Sequence, residues 1–166
     1  MRREYGNEIY FVKCRNPRKG IYSIAWDFQK MEDSDNYSYM EELFNHKPSL
    51  DEIKEIVLDW YNEQIDKQIL SGYKWTDSTG QTFSIWLSDE NQRNYKAIYD
   101  AAKDTGGEGI LPQRFKFGIT NVPEYKVFET LEELQSFFYG SLMYIAETYN
   151  SGWDIKDSID WSKYEL

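Results

Sequence analysis

The chain has 166 residues, enough for one domain with a respectable core, and its fourteen Tyr, nine Phe and six Trp exclude a disordered chain despite its charge. A formal charge of −10 at pH 7 argues against the Lys/Arg surface that phosphate-backbone binding needs, so no nucleic-acid partner is expected. The single cysteine, Cys14, excludes an intrachain disulfide framework or a thiolate zinc site.

The first residues, MRREYGNEIYF, lack the apolar run of a signal peptide, and no stretch approaches the roughly eighteen apolar residues that span a bilayer. The expectation is a soluble protein made in the cytoplasm, with no membrane partner. The charge is uneven. Residues 1–30 carry seven basic against three acidic side chains, a net +4, which leaves −14 for the rest. Such a basic end either docks onto an acidic partner or folds back onto its own body.

In chain order, Glu8 to Cys14 and Ile21 to Phe28 read as antiparallel strands around a turn at Pro17 and Gly20. The acidic stretch that follows reads as a linker over 31–48, with a short helix near Tyr39 to Phe44. Ser49 and Glu52 form a capping box that starts a long helix. Its stripe of Leu50, Ile53, Ile56, Val57, Trp60, Tyr61, Ile65 and Ile69 is stopped by Gly72.

Tyr73 and Trp75, then Phe83, Ile85 and Leu87 alternating with Thr82, Ser84 and Trp86, predict a second hairpin. Residues 88–103 return to helical spacing, and the glycines of DTGGEGILP make a connection. A third hairpin pairs Arg114 to Gly118 with Tyr125 to Phe128 around Asn121-Val122-Pro123. Thr130 and Glu133 cap a last long helix whose buried face is read as Leu134, Phe137, Phe138, Ser141, Leu142, Ile145 and Tyr149, ending at Asn150 and Gly152. The fold class expected is α+β: three β-hairpins with two long amphipathic helices and one shorter helix, in a single compact domain. Along the chain this gives a basic N-terminal hairpin over 1–30 as an attachment segment, the acidic linker over 31–48, and an α+β body over 49–166 with an aromatic tail.

No motif names a reaction. His46, the only histidine, precedes a helix cap and reads as an exposed residue, and no G-x-S-x-G occurs. Asp33-Ser34-Asp35-Asn36 begins like a calcium loop, but Ser38 and Phe44 stand where its glycine and bidentate Glu belong. Gly106-Gly107-Glu108-Gly109 lacks the setting of a phosphate cradle. Asp154, Asp157 and Asp160 offer at most a weak oxygen cluster for a hard cation, and a solvated edge is the plainer reading.

The stretch WLSDENQRNYKAIYDAA gathers polar groups beside aromatics, yet helical spacing disperses them. Asn91, Tyr95, Ile98, Tyr99 and Ala102 share one face, while Glu90, Arg93 and Asn94 point elsewhere. Ser88 or Asp89 caps that helix, and Asn91 needs hydrogen-bond partners on the apolar face. No catalytic, cofactor or metal residues are expected.

The residues Ile69-Leu70-Ser71-Gly72-Tyr73-Lys74-Trp75, then Phe83 to Leu87 and Asn91-Gln92-Arg93-Asn94-Tyr95, resemble a domain of unknown function found in bacteriophage tail-fibre-type and other virion proteins. The resemblance covers about residues 48–161. It rests on Ser71, Gly72, Tyr73, Gln92 and Asn94, with weaker support from Trp75 and Trp86, and similar chains occur in crAss-like gut phages.

The resemblance implies a non-enzymatic virion structural protein, a capsid-fibre or tail-fibre component made in the host cytoplasm and located in the virion. No cofactor is implied. Its partners would be other phage structural proteins and a second copy in a homodimer. Candidate interface residues are Arg15, Arg18 and Lys19 in the basic segment and Trp153, Trp161 and Tyr164 in the tail. Three alternatives stay open: a fibre-assembly chaperone absent from the particle, an acidic DNA-mimic inhibitor, and a carboxylate enzyme built on Asp89, Glu90 and the Asp154/Asp157/Asp160 edge.

Overall fold

The computed structural model describes residues 1–119 and 122–165, the side chain of residue 119 excepted. The fold is α+β, as the sequence predicts, with eight strands and three helices among the described residues. Two compact units partition the chain: Met1–Tyr61 with Lys156–Leu166, and Asn62–Ile155.

The first unit is built on a four-stranded antiparallel sheet. Its strands are β1 (Arg2–Gly6), β2 (Val12–Asn16), β3 (Ile21–Lys30) and β4 (Tyr37–Phe44), in the order β1-β4-β3-β2. The hairpin expected from residues 8–28 is present as β2 and β3, joined by a 3₁₀ turn at Pro17–Lys19. Gly20 closes that turn at φ 61°, a conformation that costs glycine little.

Two expectations fail here. Residues Tyr39 to Phe44 form no helix, and the stretch expected as an acidic linker contains a central strand. β4 pairs with β1 on one side and β3 on the other, and its side chains alternate so that Tyr39 and Glu41 are both buried. Hydrogen bonding along both edges and burial at period two override the helix preference of Met-Glu-Glu-Leu.

Helix α1 (Leu50–Gly72) begins at the expected capping box. The Glu52 amide donates to Ser49 Oγ at 3.3 Å, and the Ser49 amide donates to Glu52 Oε2 at 2.8 Å. The backbone and side-chain donors of Ser49, joined by His46, hold the Glu52 carboxyl down at about 2. Ile53, Val57 and Trp60 pack with Ile24 and Trp26 of β3 to form the core of this unit. Tyr164, from a short 3₁₀ turn at Trp161–Tyr164, completes it and donates to the Ala25 carbonyl at 3.2 Å.

The second unit contains hairpin β5 (Lys74–Thr76) with β6 (Thr82–Ser84), helix α2 (Asp89–Thr105), hairpin β7 (Gln113–Ile119) with β8 (Val122–Phe128), and helix α3 (Leu131–Asp157) as far as Ile155. Asn121, expected in the turn of the last hairpin, lies outside the described residues. The predicted alternation holds residue by residue: Phe83, Ile85 and Leu87 are buried, while Thr82, Ser84 and Trp86 are exposed.

An aromatic core fills this unit. Phe137 of α3 lies at its centre, 5.0–5.8 Å between ring centroids from Trp75, Tyr95, Phe115, Phe117 and Phe128. Helix α3 runs past Asn150 and Gly152, where it was expected to end. Gly152 is a packing residue, because a Cβ there would lie 2.2 Å from Ile65 Cδ1.

Candidate functional site

The polar stretch at the start of α2 is explained by local structure. Ser88 caps the helix, accepting from the Asn91 amide at 3.3 Å. Asn91 Nδ2 donates to the Trp86 carbonyl and Gln92 Nε2 to the Leu87 carbonyl, both at 2.7 Å. The Leu87 and Ile85 amides donate in turn to the Leu70 and Tyr73 carbonyls, each at 2.9 Å. These bonds tie the first turn of α2, and residues 85–87 before it, to the end of α1 and the residue that follows it.

The other residues of the resemblance also have structural places. Ser71 donates to the Lys67 carbonyl, while Tyr73 and Trp75 are buried. Gly72 and Gly140 leave room for tyrosine hydroxyls, since Cβ atoms there would lie 2.1 Å from Tyr144 Oη and 2.3 Å from Tyr73 Oη. Burial pushes the Tyr73 phenol up to about 12. Trp86 and Asn94 are exposed.

Asp89 and Glu90 line an open groove of about 840 Å³ with Glu63, Asp66, Lys67 and Arg93. Among the described residues that line it, Ser88 is taken up by its bond to the Asn91 amide. Asp154 stands exposed on α3, Asp157 closes that helix, and Asp160 caps the 3₁₀ turn by accepting from the Ser162 amide and hydroxyl. Among the described residues, no three His, Cys, Asp or Glu side chains are placed to hold a metal ion.

Two charged networks instead hold their own units together. Glu41, 2 % exposed, accepts from Tyr10 at 2.6 Å, Arg2 at 3.1 Å and Arg15. Burial pushes its carboxyl up, but the donors from Tyr10, Arg2 and Arg15 outweigh this and leave it below its ordinary value. Arg15 therefore serves this network, and Arg3 pairs with Asp27 at 2.7 Å. Much of the basic N-terminal charge folds back on its own unit. Arg18 and Lys19 remain exposed on the 3₁₀ turn.

In the second unit, Lys126 bridges Asp77 at 2.9 Å and Glu133 at 2.6 Å, 5.9 Å from the centre of the Trp75 ring. Asp77 also accepts from Thr79 and Gln81 to shape the β5–β6 turn. The Lys126 and Thr79 bonds hold its carboxyl well below the usual range.

The tail residues divide. Tyr164 is buried inside the first unit, so it is no surface contact. Trp161 is half-buried beside Tyr164, with Lys54 over its ring. Trp153 is 53 % exposed and stacks on Tyr149, their centroids 6.0 Å apart.

That stack belongs to a larger feature missed in the sequence. Tyr139, Leu142, Met143, Ala146, Tyr149 and Trp153 fall within one arc of α3, which also holds the polar Asn150, and are all exposed, Met143 to 59 % and Leu142 to 45 %. Leu142 and Tyr149, expected on the buried face, lie on the outer one. The buried face uses Leu134, Phe137, Phe138, Ser141, Thr148 and Gly152. The sequence signal was apolar residues on both faces of a single helix.

Comparison with protein-family models, curated proteins and solved structures returns no match to this chain.

Proposed function

We propose that this chain is a non-enzymatic, protein-binding structural component of a bacteriophage particle, a capsid-fibre or tail-fibre component that links other virion proteins. The outer face of α3 carries the reading. An exposed apolar stripe that includes a stacked Tyr–Trp pair is the composition of a protein interface, and it lies on a helix whose other face is locked into an aromatic core.

The resemblance to virion proteins supplies the setting. Gly72, Tyr73, Asn91 and Gln92, which carry that resemblance, serve packing and hydrogen bonding.

Mass spectrometry of purified particles from an infected culture tests this. The chain is expected at a fixed stoichiometry to a fibre or capsid protein. Its absence from particles, with recovery in lysate bound to fibre protein, would replace the structural reading with an assembly chaperone. Its absence from both would refute the proposal.

A further inference from the structure

We propose that the outer face of α3 docks a basic amphipathic helix of another protein; this rests on the protein-binding reading above and names the chemistry of the partner. The stripe from Tyr139 to Trp153 is about 21 Å long at 1.5 Å per residue, the length over which two helices can pack. Its members recur three or four residues apart, as in a helix that receives a second helix along its ridge.

Charge selects among occupants. One edge of the stripe, by helical spacing, carries Glu147 and Asp154. On the other, Tyr149 lines the groove that also holds Glu63, Asp66, Asp89 and Glu90. The cations of that groove are Lys67, which pairs with Glu63 at 3.4 Å, and Arg93. Asp66, Asp89 and Glu90 make no ion pair among the described residues. An apolar strip between two acidic borders complements a helix whose apolar face is flanked by Lys or Arg. The exposed Tyr149 and Trp153 rings add cation–π contacts for those same side chains.

The borders disfavour other occupants. A second copy would set Glu147, Asp154 and the groove carboxylates against their own kind. An anionic lipid surface or a nucleic acid would meet the same repulsion.

The full chain, ¹⁵N-labelled, is titrated with two synthetic helical peptides of equal length. Both carry Leu at i, i+3, i+4 and i+7, with Lys at the remaining positions in one and Glu in the other. The Lys peptide is expected to shift the amides of residues 139–153 and of the groove. Its binding should weaken about tenfold between about 50 and about 500 mM salt, and the Glu peptide should not bind. Leu142→Ser and Trp153→Ser should each weaken the Lys peptide about tenfold, the size expected of an interface anchor. Both side chains are exposed, so unchanged thermal melting of the variants confirms that folding is intact.

Equal binding of the Glu peptide, unchanged affinity in both variants, or shifts confined to other residues would overturn the proposal. So would concentration-dependent dimerisation abolished by Leu142→Ser, which would assign the face to a second copy. Tighter binding to phosphatidylserine vesicles than to the Lys peptide would overturn it as well. A chain found in particles that fails the peptide test leaves the structural reading intact and removes only this partner. A chain that passes the peptide test but is absent from particles does the reverse.

Discussion

The Tyr144 hydroxyl occupies the space that a side chain at position 72 would need. It donates to the Gln68 carbonyl at 2.8 Å, one turn before the end of α1, and lies 2.1 Å from where a Cβ on Gly72 would be. Gly72 therefore lets a tyrosine of α3 bond the last turn of α1. Gly72→Ala should destabilise the protein by about 1–3 kcal/mol, the usual cost of overpacking. Tyr144→Phe in the same chain removes the clashing oxygen and leaves Cζ 3.3 Å away. The double variant should recover about 1 kcal/mol of the loss in urea unfolding. Additive costs would show that the hydroxyl and residue 72 do not compete.

Gly152 has the same logic against Ile65, whose Cδ1 and Cγ1 would lie 2.2 and 2.5 Å from an added Cβ. Gly152→Ala should lower thermal stability. Combined with Ile65→Ala, it should cost about 1 kcal/mol less than the two single changes summed. If Gly152 only marked the end of a helix, alanine there would be neutral or stabilising.

Glu41 predicts a pH dependence. Its folded-state value lies below its ordinary 4.5, so its contribution is fully present above that pH and is lost as pH falls through the folded value. Glu41→Gln should destabilise by about 2 kcal/mol at neutral pH. That is less than a fully buried pair, because Arg2 and Arg15 keep access to water. The gap between wild type and variant should narrow as the pH falls below about 4.5; a gap that is constant from neutral pH to acid would refute the assignment.

The side-chain amides at the start of α2 should separate cleanly. Asn91→Ala and Gln92→Ala each remove a bond to a backbone carbonyl just before α2 and should cost about 1 kcal/mol. Asn94→Ala, at an exposed position, should stay within about 0.5 kcal/mol of wild type. Alanine raises helix propensity at all three positions, so equal losses would refute the assignment of the cost to these two bonds.

Where local chemistry decides, the sequence was legible. The Ser49–Glu52 box, the Ser88 cap and the alternation from Thr82 to Leu87 all depend on residues a few positions apart, and each appears where the pattern places it. β4 was not legible, because a strand with neighbours on both sides draws its stability from β1 and β3, far away in sequence. The outer stripe of α3 was hidden for a related reason. Leu142 and Tyr149 offer large hydrophobic side chains just as Phe137 and Phe138 do, and periodicity alone could not say which arc meets the core.

The sequence by itself determined the α+β class, the helix starts and the two later hairpins, because caps, turns and periodicity are local properties. Only the tertiary structure decided that Arg15 is drawn to a buried Glu41, that Gly72 and Gly152 are close-packing sites, that Tyr164 is core, and that α3 keeps an apolar face open. Those facts depend on which distant surfaces meet, and burial, clash and charge pairing exist only once they do.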